Sequence, residues 1–140
     1  NLLRRSLKVK VKFQVAPVPA SRPCVSRFST YYKGPYKKYM DAMKIAVSDI
    51  RVVPIEGNVY AKVDFFVPMA PSWLKSKKEE KLGKFCDNNK DIDNYCKAIL
   101  DSLNGICYVD DSQVVMIRAR KYWTNSDNGH TACEFTPIQE

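Results

Sequence analysis

Two stretches of this chain alternate strictly between apolar and polar residues, and a period of two commits them to β-structure with one buried face. Leu7, Val9, Val11, Phe13 and Val15 alternate with Lys8, Lys10, Lys12 and Gln14, which turns a lysine-rich face outward. Val59, Ala61, Val63, Phe65 and Val67 repeat the pattern after a bend at Gly57-Asn58. Residues 114–122 return to the alternation, and residues 131–137 form a weaker terminal strand after a turn over 125–129.

Helical signals fill the intervals. Pro35 opens a helix running to about residue 50, with Tyr39, Met43, Ile45 and Ala46 at helical spacing. Ala70-Pro71-Ser72-Trp73 reads as a second helix start, followed by a very basic segment with Lys75, Lys77, Lys78, Lys81 and Lys84. Gly83 and residues 87–90 then read as a polar loop. Over residues 94–103 the stripe Tyr95, Ala98, Ile99 and Leu103 predicts the best-defined helix, stopped by Asn104-Gly105. The proline-rich residues 16–23 suit neither a helix nor a central strand, and read as an extended loop carrying Arg22 and Arg27. The order β-α-β-α-α-β-β predicts an α/β (α+β) fold, a mixed sheet with two to three helices. At 140 residues the expectation is a single domain over 1–140, without internal repeats.

The formal charge of +8 makes nucleic acid the leading partner and an anionic membrane surface the second. No apolar run approaches the roughly 18 residues of a membrane span. The start of the chain, residues 1–5, has basic residues without a following apolar core, so a secretory signal is not expected. Five widely spaced cysteines without a C-x-x-C pair predict reduced thiols and a cytoplasmic protein.

Against this basic background, residues 87–111 carry six acids and two bases: Asp87, Asp91, Asp93, Asp101, Asp110 and Asp111 with Lys90 and Lys97. Asp93, Lys97 and Asp101 recur every four residues and share one helix face. Asp91 lies just ahead of that helix, and a chain turned at Gly105 can bring Asp110-Asp111 back toward the same end. Convergent carboxylates of this kind suit Mg²⁺, a hard ion that takes one or two of them plus waters and phosphate oxygens. The same residues also admit a plainer account. Asp93 is a helix N-cap candidate, Asp93 and Lys97 an ordinary surface pair, and Asp110-Asp111 a solvated turn. The residues alone leave both open. His130, the one histidine, reads as an exposed turn residue, and there is no phosphate-cradling glycine loop or dinucleotide fingerprint, so no nucleotide cofactor is expected.

The run D-I-D-N-x-x-K-A-I-L-D-S-L-N-G over residues 91–105, then Y-x-D-D-S-Q-V over 108–114, resembles the RusA family of Holliday junction resolvases in its phage and Gram-positive branch. The P-x-P-x-x-R-P of residues 17–23 and Pro71-Ser72-Trp73 resemble it too. The resemblance implies a homodimeric endodeoxyribonuclease that cuts four-way DNA junctions in paired, symmetric nicks with Mg²⁺, or Mn²⁺ as a substitute. It further implies Asp91, Asp93 and Asp111 as metal carboxylates and Lys97 as the basic catalytic residue, with Asp110 and Gln113 matching the motif and Asp87 and Asp101 left as surface acids. Arg22, Arg27, Lys75, Lys77 and Lys78 are the expected DNA contacts, with Arg118, Arg120 and Lys121 as further phosphate contacts. Tyr31, Tyr32, Tyr36 and Trp73 are interleaved among the basic residues as stacking groups. Two other functions remain in view: a less selective branched-DNA nuclease, and a non-catalytic DNA-binding module.

Overall fold

The strands are β1 (Val9–Phe13), β2 (Cys24–Val25), β3 (Thr30–Tyr31), β4 (Val59–Pro68), β5 (Val114–Thr124) and β6 (His130–Pro137). Between them lie the helices α1 (Pro35–Val47), α2 (Lys75–Lys81) and α3 (Ile92–Ser102), and a 3₁₀ turn over Asp111–Gln113. The computed structural model describes residues 7–139, so the expectation for residues 1–5 lies outside the described residues. Four strands form one mixed sheet in the order β1-β6-β4-β5, with β4 and β5 parallel and the other neighbours antiparallel.

A parallel pair cannot be closed by a tight turn. The β4–β5 crossover occupies residues 69–113 and contains α2, α3 and the 3₁₀ turn. All of the sequence's candidate acids therefore sit in this one connection.

Strand alternation separates the two sheet faces. Val59, Ala61, Val63 and Phe65 of β4 are fully buried on the inner face, beside Cys133 and Phe135 of β6. They meet Tyr95, Ala98 and Ile99 of α3 and Tyr36, Tyr39 and Met43 of α1. Burying an Ile99-sized side chain contributes about 1.5–3 kcal/mol, so this stripe is what docks α3 on the sheet. Lys10, Lys62 and Arg118 lie on the opposite, outer face.

Several sequence expectations need correction. Residues 70–73 form a turn closed by Trp73 N–H to the Ala70 carbonyl at 3.1 Å, and α2 starts only at Lys75 because Leu74 is still extended. α3 starts at Ile92, two residues earlier than its apolar stripe predicts. The segment carrying Arg27 contains a β2–β3 hairpin, whose turn is held by Ser26 Oγ accepting from Ser29 N–H at 3.0 Å. His130 is buried, since it opens β6 opposite Phe66 and stacks on that ring at 4.2 Å.

All five cysteines are free, with Cys86, Cys107 and Cys133 buried and Cys24 and Cys96 partly so. Among the described residues no helix is long and apolar enough to cross a membrane.

Candidate active site

The loop leading to Asp91 is fixed from beneath. Lys121 of β5 donates to Asn88 Oδ1 and to the Lys90 carbonyl, both at 2.6 Å. Asn88 in turn donates to the hydroxyl of buried Tyr95 at 3.0 Å. Asp87 accepts from Trp123 Nε1 at 3.0 Å and from Lys81 at 3.3 Å, bonds that hold its carboxyl below the ordinary value. Lys121 is thus a structural donor, and Arg120 is clamped by two bonds of 2.8 and 2.9 Å to Asp64. Neither is the free phosphate contact that the sequence predicts.

At the amino end of α3 the plainer account of the acids is not what is found. Asp91 occupies the N-cap position, yet its side chain makes no capping bond. Asp93 lies inside the first turn and, among the described residues, accepts only its neighbour's N–H, from Asn94 at 3.0 Å. Lys97 pairs with Asp101 at 3.2 Å instead of with Asp93. Among the described residues neither Asp91 nor Asp93 has an ion-pair partner, and both are exposed. Two unclaimed, exposed carboxylates at the start of one helix offer the hard oxygen donors that a divalent ion takes.

Asp111 is built in differently. Asp110 and Gln113 cap the 3₁₀ turn reciprocally: Asp110 Oδ2 accepts from Ser112 N–H at 3.0 Å, and Gln113 Oε1 accepts from Asp110 N–H at 2.7 Å. The other end of the Gln113 amide donates to the carbonyls of Ile55 and Gly57 at 2.8 and 2.7 Å. Asp111 N–H donates to Asn104 Oδ1 at 2.9 Å. These bonds give Asp110 and Gln113 a structural role: they hold the turn that presents Asp111.

That turn brings Asp111 to the carboxyl end of α3, against Asp101 and Lys97. Burial, hydrogen bonding to Asp101 and the charges of Asp110 and Asp101 raise its carboxyl above the ordinary value, and Lys97 opposes the rise. Lys97 is itself raised, first by its bond to Asp101, and stays cationic at neutral pH.

Asp93 and Asp101 are eight residues apart, about 12 Å along a helix rising 1.5 Å per residue. The turn after Gly105 therefore returns Asp111 to the opposite end from the one expected. Among the described residues no three acidic, histidine or cysteine side chains are grouped closely enough to hold one metal. Asp91 and Asp93 alone meet the habit of Mg²⁺, which needs only one or two carboxylates; Asp111 is not gathered with them inside a single chain. The sequence places Asp101 four residues beyond Lys97 and the resemblance leaves it as a surface acid; here it is the partner of Lys97.

Basic residues border this face. The Ala20 N–H donates to the Asn94 carbonyl at 2.9 Å, pinning the proline-rich loop to α3. Arg22 and Lys97 then line a cleft of about 320 Å³ together with Tyr32 and Asn94. Arg27 is exposed on the hairpin, 5.8 Å from the centre of the Phe28 ring. On α2, Lys77 covers the Trp73 ring at 3.9 Å, Lys78 donates to the Pro71 carbonyl at 2.9 Å, and Lys75 pairs loosely with Glu79 at 4.0 Å. Trp73 is also packed edge-on against Trp123, and Tyr36 is core, so neither offers the free stacking face expected of it.

The model of the endodeoxyribonuclease RusA family matches residues 14–131. The uncharacterized protein YqaN of Bacillus subtilis (strain 168) is 32% identical over 125 residues, which cover 81% of this chain and 88% of that protein. The matched span runs from the proline-rich loop past α3 and the Asp111 turn into β6, and by it the chain belongs to the RusA family of endodeoxyribonucleases.

Proposed function

We propose that the chain is a Mg²⁺-dependent Holliday junction resolvase that works as a homodimer and nicks two strands symmetrically. Asp91 and Asp93 are its first metal carboxylates, Asp111 the third and Lys97 the basic catalytic residue. One observation carries the proposal: among the described residues Asp91 and Asp93 are exposed and free of both cap and ion pair, on the helix that also presents Lys97. Asp91 and Asp93 would hold the ion, which would supply Lewis-acid polarisation of the scissile phosphate and an activated water. Lys97 contributes a positive charge to the phosphate, its bond to Asp101 favouring the ammonium form. Arg22, Arg27 and the α2 residues Lys75, Lys77 and Lys78 draw in the DNA backbone.

Support for a dimer comes from the half of β5 that follows the Asp111 turn. Val115, Met116 and Ile117 are exposed on an outer sheet strand, with Val109 exposed nearby. A two-fold pairing of such surfaces repeats each site once and supplies two cuts. It also offers a way to bring Asp111 of one copy to the Asp91–Asp93 end of the other. Free thiols suit the reducing cytoplasm.

The test incubates the protein with labelled four-way, three-way and splayed DNA, in Mg²⁺ and in EDTA. Paired nicks in the four-way substrate alone, abolished by EDTA, are expected. Equal cutting of all three substrates would reduce the claim to a general branched-DNA nuclease, and cutting in EDTA would remove the metal.

A further inference from the structure

The outer face of the sheet has no part in the site described above. Its outward positions are Lys10 and Lys12 on β1, Ala132 and Glu134 on β6, Lys62 and Asp64 on β4, and Arg118 and Arg120 on β5. Five cations thus oppose two carboxylates, and both carboxylates are already taken. Asp64 is clamped by Arg120, and Glu134 lies within 4 Å of Lys8, Lys10 and Lys62. The surface encloses a groove of about 370 Å³ that includes Lys10, Lys12, Lys62 and Arg118. Among the described residues no helix packs over it.

At one end of this face four rings stack across the strands. His130 lies 4.2 Å from Phe66, Phe66 lies 5.5 Å from Tyr122, and Tyr122 lies 5.3 Å from Phe85, with interplanar angles of 11°, 22° and 16°. The inner rings cover one another's faces. Phe85 ends the row and is 69% exposed. Arg120 lies 5.7 Å from the Tyr122 ring centre, beside the row.

We propose that this face is a second nucleic-acid surface that binds an unpaired DNA strand, with a base extending the ring stack at Phe85 and the backbone running over the Lys12–Arg118 groove. A stacked base satisfies an exposed ring whatever its sequence, and phosphates satisfy the surplus cations. A second copy of the same face is a poor occupant, because a two-fold pairing sets cation against cation with no carboxylate to spare. The surface lies across the sheet from α3, so a strand held here leaves the cleavage face free for the duplex arms.

The experiment follows a fluorescein-labelled oligothymidylate by anisotropy, with a blunt duplex as competitor, and measures four-way junction nicking in Mg²⁺ on the same samples. Phe85→Ala is expected to weaken oligothymidylate binding by about 5-fold or more, with junction nicking unchanged. The double variant Lys12→Gln/Arg118→Gln is expected to reduce the salt slope by about 0.7 per residue. Binding that none of these substitutions alters overturns the proposal, as does a duplex that competes equally well while Phe85→Ala has no effect. Sedimentation showing that the variants dissociate a wild-type dimer also overturns it, by making the face a self-interface. A wild-type protein that binds the oligothymidylate but does not nick the junction counts against the nuclease alone.

Discussion

Lys97 donates to Asp101 at 3.2 Å, one helical turn beyond it, and not to Asp93, one turn before it. The pairing is exposed, with the Lys97 side chain 62% accessible, so it holds the ammonium only loosely and can yield it to a phosphate. Removing that charge by Lys97→Met should lower kcat by about 10²–10³-fold, with the Kd for junction DNA nearly unchanged. Asp101→Asn should give a smaller loss, and none in the Lys97→Met background if Asp101 acts by positioning Lys97. Equal effects of Asp101→Asn in both backgrounds, measured by single-turnover cleavage, would show that it acts some other way.

Gln113 links the 3₁₀ turn to residues 55–57 through both ends of its amide. Gln113→Ala removes three hydrogen bonds at once and leaves the partly buried Ile55 carbonyl without this donor, which should cost about 1–3 kcal/mol. Urea unfolding reads that loss. Cleavage should fall further than stability requires, because Asp111 loses its support, while Gln113→Glu should keep the acceptor for Asp110 N–H and lose the two donated bonds. Full cleavage activity in Gln113→Ala at a temperature where it remains folded would show that the turn does not need this tie.

Period-two and helical patterns made the sheet and α1 and α3 legible, because burial on one face leaves a direct trace in residue order. Legibility ended where contacts depend on chain return. The apolar stripe of α3 begins at Tyr95 and says nothing of Ile92 and Asp93, which extend the helix without contributing to the core. The turn after Gly105 could return Asp111 to either end of α3, and Asn104, Gln113 and the residue 55–57 carbonyls decide it through bonds spanning up to 58 positions. His130 shows the same limit. Its Asn-Gly neighbours predict an exposed turn, and only its register opposite Phe66 buries it. The structural roles of Lys121 and Arg120 were likewise illegible, since Asn88 and Asp64 are distant in sequence.

The α2 lysines separate by their present bonds. Lys75 is exposed and its pairing with Glu79 is at the 4.0 Å limit, whereas Lys78 is partly buried and already donates to the Pro71 carbonyl. Lys75→Gln should therefore reduce the salt slope of duplex binding by about 0.9, the value for one phosphate contact. Lys78→Gln should change the slope by less and lower stability more. Titrations of a duplex arm across a salt series, paired with thermal melts, check both. The order is reversed if Lys78 swings free on binding.

Glu134 gives a prediction in pH. Burial alone would raise its carboxyl, but Lys62, then Lys8 and Lys10, outweigh that and hold it below its ordinary 4.5. A carboxylate with a depressed folded value stabilises the fold fully above the unfolded value, and the contribution disappears as pH falls through the folded one. Wild type should therefore be more stable than Glu134→Gln near neutral pH, and the gap in Tm should close as pH drops below 4.5. The same substitution frees three lysines on the outer sheet face, so it should tighten oligothymidylate binding near neutral pH while weakening the fold. A Tm gap that stays constant through the acid range would mean that Glu134 acts by packing and not by charge. Unchanged oligothymidylate affinity would mean that the three lysines are not in reach of the bound strand.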